Sequence, residues 1–316
     1  MVSKVSKLGR ECMFSGAVAD SEEHVIPRWL QRRFSLWNQE VVLPNQTTFR
    51  YAKAKVPVKT EHNRAFGVIE NRMAEGIFTL QEAYLWALKI HIGMMWLDAR
   101  LKRERKDPGS KTILKGTDFS KQVLMFRQLY TNWANGGETV PNPFGSVFLL
   151  EGGLIPNEFD LFHCMISGAL GISIDHRFLF VLLWDRAEAM QGCALRDWYR
   201  THKPRIQSSP EGNRRQTAYM ARHVWSCEVA HELWLWQRPF RFRQQDNSIT
   251  ATPSVESRVR KPVDREMHVR ICRSFALKPV FGNSDCAQHY IFDLPTAEKR
   301  GRNAAEASAR NLENPF

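Results

Sequence analysis

Apolar positions along this chain follow two rhythms, and the switches between them outline the elements. The stretch Ser21-Glu22-Glu23-His24-Val25-Ile26-Pro27 reads as a strand that a proline stops, with a carboxylate directly before a histidine at its end. Trp29, Leu30, Phe34 and Leu36 follow at helical spacing and predict a short helical turn over 28–36. Residues 38–60 are β-like: Val41, Val42 and Leu43, a turn at Pro44-Asn45, then alternating Val56 and Val58. After Thr60 the period changes, and Ala65, Phe66, Ile69 and Met73 share one helix face. A strand–strand–helix unit is thus expected over about 10–75, led by a short strand and turn at Cys12-Met13-Phe14-Ser15-Gly16.

Thr79-Leu80-Gln81-Glu82 is a capping box, so a helix should start there and run to about Lys102. Apolar residues lie nearly all round it, which predicts a central core helix rather than a surface one. The basic run Arg100–Lys106 is closed by Asp107-Pro108-Gly109. A second helix is expected over 120–133. Four strand signals follow, Val147–Leu150, Phe162–Ile166, Gly171–Ile174 and Phe178–Leu183, and predict an antiparallel sheet with a hairpin turn at Asp175-His176-Arg177. Residues 184–200 read as helical, and Asn213–Trp236 as a long amphipathic helix. The polar, basic stretch 238–260 reads as a flexible connection, Met267–Phe281 as a strand or hairpin, and 297–316 as a weak terminal helix or disorder. The fold class is α+β. Residues 1–75 form the first module, 76–205 a larger, mostly helical domain with an antiparallel sheet, and 206–316 a helical extension with a partly flexible tail.

Composition changes this picture in one respect. At 43% hydrophobic the 316 residues can bury a sizeable core, and 45 Lys and Arg against 33 Asp and Glu leave a net charge of +12. That field attracts polyanions, of which nucleic acid is the commonest for such a protein. Six cysteines without any Cys-x-x-Cys suit buried thiols in a reducing compartment. The basic lead Met1–Arg10 runs into no apolar segment, and the most apolar stretch, Tyr84–Leu97, is too short for a bilayer and contains Lys89 and His91. A cytoplasmic protein without membrane contact is expected.

Adjacent Glu23 and His24 offer an acid and a potential base whose pKa suits proton transfer near neutrality. His91, on an apolar helix, reads as a core histidine; His223 and His231 share a helix face but lack a third ligand. There is no phosphate-cradling Gly loop, Gly-x-Ser-x-Gly elbow or dinucleotide fingerprint.

Glu23-His24-Val25-Ile26-Pro27 resembles the Asp-His-Ile-Val-Pro stretch of the HNH endonucleases, and His62-Asn63-Arg64 resembles the stretch that opens that family's metal-site helix. The resemblance implies a ββα-metal unit, with Glu23 and Asn63 as ligands of Mg²⁺ or another divalent ion and His24 as general base. It implies hydrolysis of phosphodiester bonds in nucleic acid, DNA favoured over RNA, with Arg28, Arg32, Arg33 and Arg64 near the phosphates. Asn45 is a candidate for the motif's middle Asn. The Glu-His-Val-Ile-Pro-Arg-Trp-Leu form is similar to bacterial members that carry a zinc held by two Cys-x-x-Cys knuckles. Here Cys12-Met13-Phe14-Ser15 keeps one sulfur and Val58-Lys59-Thr60-Glu61-His62 keeps none. Cys12 and His62 supply at most two ligands, so structural zinc is expected to be absent and the module to lean on residues 76–200. The alternative is a non-catalytic nucleic-acid-binding or interaction protein on a degenerate HNH fold, such as a subunit of a mobile-element or anti-phage system.

Overall fold

The computed structural model describes residues 10–42, 48–104, 106–114, 116–151, 159–175, 177–191, 207–208, 210–235, 240–254, 265–275, 278–281 and 290–293. The fold is mixed α+β with mainly antiparallel sheets.

Strand β1 (Ser21–His24) pairs antiparallel with β4 (Lys55–Val58), Ser21 opposite Val58 and His24 opposite Lys55. Between them lie helix α1 (Arg28–Arg33) and the small ladder β2 (Glu40–Val42) with β3 (Thr48–Arg50). The expected turn at Pro44-Asn45 lies outside the described residues. β4 runs directly into α2 (Thr60–Glu75), which buries Phe66, Ile69 and Met73. Its end is closed by Gly76 at φ 74°, a left-handed cap that suits glycine, with the Ile77 N–H bonded to Arg72 O at 2.9 Å.

Helix α3 (Leu80–Arg100) starts at the expected capping box: Glu82 N–H donates to Thr79 Oγ1 at 3.2 Å and Thr79 N–H to Glu82 Oε2 at 2.9 Å. It is buried on all sides, including Glu82, Lys89, His91 and Asp98. Because lipophilic neighbours surround it, it packs as the axis of the main core, against α2, β4 and α4 (Gly116–Ala134). That core contains residues from Cys12 to Ala251, so one apolar cluster spans the boundaries drawn at residues 75 and 205.

The second sheet has the order β6 (Ser146–Glu151), β9 (Arg177–Leu182), β8 (Ala169–Ile174), β7 (Phe159–Cys164), all antiparallel. Alternation sends Val147, Ile172, Leu179 and Val181 to the α3 side, and Phe148, Phe162, Phe178 and Phe180 to a second cluster. Both faces are therefore covered, which explains strands with few polar positions. A short helix, α5 (Glu188–Gln191), follows β9; residues 184–187, read as the start of that helix, form a turn with Arg186 and Ala187 at positive φ, and residues 192–200 lie outside the described residues. The second cluster is closed by α6 (Glu211–Leu235) and α7 (Arg265–Ser274).

Three expectations are corrected. Residues 12–16 form a turn bracketed by an isolated Glu11–Val18 bridge, not a strand. The stretch read as flexible holds a hairpin, β10 (Phe240–Gln245) with β11 (Ser248–Pro253), and β11 also pairs in parallel with β5 (Glu138–Val140). One face of this hairpin is charged, but Ile249 and Ala251 on β11 are buried in the main core. Residues 267–274, read as strand, belong to α7, because His268, Ile271, Cys272 and Phe275 recur at helical spacing and are all buried. The chain then continues into β12 (Lys278–Phe281), which pairs with β13 (Tyr290–Asp293). Residues 297–316 lie outside the described part. No helix among the described residues is long and apolar enough to cross a membrane.

Candidate functional site

β1 sends Glu23 and His24 to opposite faces, as strand alternation requires. Glu23 points to α2 and α3. Its Oε1 accepts a hydrogen bond from Lys89 Nζ at 2.8 Å, and the same ammonium donates to Glu70 Oε1 at 3.0 Å and to His24 O at 2.5 Å. Lys89 is fully buried, while the Glu23 and Glu70 side chains are only 13% and 17% exposed. An unpaired buried charge would be very costly, so this triad is a closed electrostatic unit. Burial opposes the charge on Lys89, but Glu23 and Glu70 together outweigh it and hold the ammonium above its ordinary range. Burial raises the Glu70 carboxyl despite Lys89, as expected when two carboxylates share one cation.

His24 lies on the other face and is 3% exposed, and its Nε2 has no hydrogen-bond partner among the described residues. Its ring sits 5.7 Å from that of Trp37, which is 44% exposed and covers it. Burial first, and then the positive charge of Arg28, lower the His24 pKa, so its imidazole is neutral at neutral pH. A neutral imidazole is the form a general base needs.

Asn63 is in the first turn of α2, half-buried, with its backbone N–H bonded to Lys59 O at 3.0 Å. α2 begins where Val58 pairs with Ser21, whereas His24 pairs at the other end of the hairpin. The α2 residue joined to Glu23 through a shared cation is Glu70, seven residues or about 10 Å further along the helix than Asn63. The structure thus gathers Glu23, Glu70 and Lys89, and among the described contacts the Asn63 amide is not joined to Glu23 or His24. Asn63 and Glu70 nevertheless share a helix face. At Gly67, between them, an added Cβ would meet nothing within 4 Å, so that face carries a small open space.

Arg28 and Arg32 are exposed one turn apart on α1, and the charge of Arg28 acts on His24. Arg33 pairs with Asp175. Arg64 is exposed on α2.

The turn at residues 12–16 is held by hydrogen bonds and ring packing. Lys59 N–H donates to Cys12 Sγ at 3.2 Å, and His62 Nδ1 lies 3.2 Å from Tyr130 Oη. Arg127 of α4 donates to Met13 O and Cys12 O at 3.2 and 3.0 Å. Phe14 packs among Phe66, Phe126 and Tyr130 at ring separations of 5.2, 5.5 and 4.7 Å. The first 75 residues therefore do lean on α4. Among the described residues no three His, Cys, Asp or Glu side chains converge as a ready metal site.

Lys89 and Glu70 were not among the residues singled out from the sequence. The available signal was a lysine in the middle of an apolar helix, which demands a buried anion. Compared with protein-family models, curated proteins and solved structures, the chain matches none.

Proposed function

We propose that this chain is a nucleic-acid-binding protein built on an HNH-like ββα unit, β1, β4 and α2, that uses an internal lysine where a nuclease would use a metal. The observation that supports this reading is the Lys89 ammonium, which satisfies Glu23, Glu70 and the His24 carbonyl at 2.5–3.0 Å. A divalent ion at Glu23 would have to displace a buried cation, at a cost of several kcal/mol. Binding falls to the surface beyond His24: Arg28 and Arg32 contact phosphates, and Trp37 offers an exposed ring for base stacking. The net charge of +12 supplies the long-range attraction.

A second reading is the metal-dependent endonuclease, with His24 as general base and Glu23 and Asn63 as ligands of Mg²⁺ or another divalent ion. It is favoured by the direct succession of β4 and α2 behind the Glu23-His24 strand, and by the open face at Gly67 beside Asn63.

One experiment separates them. Plasmid DNA is incubated with the full chain and Mg²⁺ or Mn²⁺, alongside His24→Ala, and binding to short DNA and RNA duplexes and single strands is measured over a salt series. The binding reading expects no His24-dependent cleavage, and a salt slope reduced by about 1 for each of Arg28→Ala and Arg32→Ala. Metal-dependent cleavage lost in His24→Ala would establish the endonuclease instead, and absence of both cleavage and binding would overturn both readings.

A further inference from the structure

A partly enclosed cavity of about 290 Å³ lies where the end of α2 meets the β6, β9 and β8 part of the second sheet. Most of its lining is apolar: Met73, Ile172 and Leu179 are buried, and Phe78 and Leu149 are half-buried. Ile77, between the lining residues Gly76 and Phe78, is 71% exposed. Four charged residues complete the wall, Arg33, Glu75, Asp175 and Arg177. Arg33 and Asp175 pair with each other, and Glu75 is exposed to water on the last turn of α2. Arg177 differs from these. It is half-buried at the start of β9, its Nε is shut off from solvent, and among the described residues nothing accepts a hydrogen bond from its guanidinium.

Gly76, having no side chain, makes room for this group: a Cβ there would stand 2.7 Å from Arg177 Nη1. A guanidinium beside a helix C-terminus complements the dipole without any ligand. Two observations argue for more. First, the end of α2 is already closed by the Gly76 and Ile77 N–H groups, bonded to Met73 O and Arg72 O, and no described carbonyl takes a bond from Arg177. Secondly, the unpaired cation lines a cavity with mainly apolar walls, where an unsatisfied charge costs free energy that a bound anion recovers.

We propose that this cavity binds a small monocarboxylate with an apolar body, its carboxylate on the terminal nitrogens of Arg177 and its chain against Phe78, Leu149, Ile172 and Leu179. The planar fork of a guanidinium matches a carboxylate through two parallel N–H···O bonds. One unpaired cation calls for one negative charge. Glu75 and Asp175 in the wall, and Glu151 opposite Arg177 in the β6–β9 ladder, disfavour a dianion such as phosphate. At about 290 Å³ the cavity stands near the lower end of the range of about 300–1,000 Å³ usual for ligand sites, which suits a ligand smaller than a typical drug.

The test is calorimetric titration of the full chain with octanoate, with octanol, acetate and inorganic phosphate as controls. Octanoate is expected to bind at about one site per chain, more than tenfold tighter than any of the three. Arg177→Met keeps the apolar stem, removes the charge, and should weaken octanoate more than tenfold. Since that variant can misfold, the unmodified chain provides a second measure. A diazirine-bearing analogue of octanoate is photo-crosslinked to it, and the labelled peptide is identified. Labels within residues 73–79 or 172–179, displaced by excess octanoate, are expected. Several results would overturn the site: no saturable octanoate binding at millimolar concentration, octanol or phosphate bound as tightly as octanoate, undiminished affinity in folded Arg177→Met, or labels that fall elsewhere.

Discussion

The Lys89 ammonium stands 2.8 Å from Glu23 and thereby ties the middle of the central helix to the strand that carries His24. Replacing Lys89 by Met keeps the volume but strands two carboxylates and a carbonyl in the core. A loss of about 3–5 kcal/mol is expected in urea unfolding. The variant also leaves the Glu23 and Glu70 carboxylates without their shared cation, so millimolar Mn²⁺ should raise its midpoint while leaving the unmodified chain unmoved. A loss below about 1 kcal/mol would mean that the triad is not a core support.

Gly93 and Val25 make a tighter test of how α3 seats the loop after His24. A Cβ at position 93 would stand 2.9 and 3.0 Å from the two methyls of Val25, a β-branched side chain that turns poorly. Gly93→Ala gains up to about 1 kcal/mol of helix propensity and loses about 1–3 kcal/mol to overpacking. The net effect is destabilising, and Val25→Ala should relieve the clash. A double-mutant cycle should therefore show coupling of about 1 kcal/mol or more, and additivity within about 0.3 kcal/mol would contradict the close approach.

The imidazole pair of buried His91 and half-buried His163, whose ring nitrogens are 2.6 Å apart, gives a pH signature. Burial lowers His163 to about 4 and, with His163 beside it, pushes His91 well below its ordinary range. The unfolded histidines titrate near 6.5, so between about 6.5 and 4 the unfolded chain binds more protons and stability falls as pH drops. For His163 alone this reaches roughly 3 kcal/mol below pH 4, at about 1.4 kcal/mol per unit. Burial raises Asp98 to about 6, and a raised carboxyl has the opposite sign over its own range. The comparison is therefore made by difference: His163→Gln should flatten the acid limb of the stability curve relative to the unmodified chain. An unchanged limb would contradict a neutral pair.

Local rules made much of this molecule legible. The proline after Ile26, the Thr79-Glu82 box and the shared face of Phe66, Ile69 and Met73 each encode an element within a few residues, and each element is present. The errors share a cause. In α7 the repeat at 268, 271, 272 and 275 is helical, but its first member is a histidine, and a buried His does not register as apolar. The β10–β11 hairpin hides behind arginines on its exposed face, and its parallel partner β5 lies about 110 residues earlier. The site divides the same way. Glu23 and His24 are visible as neighbours in sequence, whereas Lys89 matters only because folding brings it to Glu23, 66 residues earlier, and to Glu70, 19 residues earlier.

That distant strand pairing bears on how the chain is made. Ile249 and Ala251 fill the main core from β11, and β5 finds its ladder partner only there. At about 5–20 residues per second, a ribosome needs roughly 5–20 s to go from the first of these strands to the second. During that interval the central helix and much of its apolar surroundings are synthesised but lack the β11 side chains that cover them, so apolar surface stays open on the nascent chain until residue 253 has emerged.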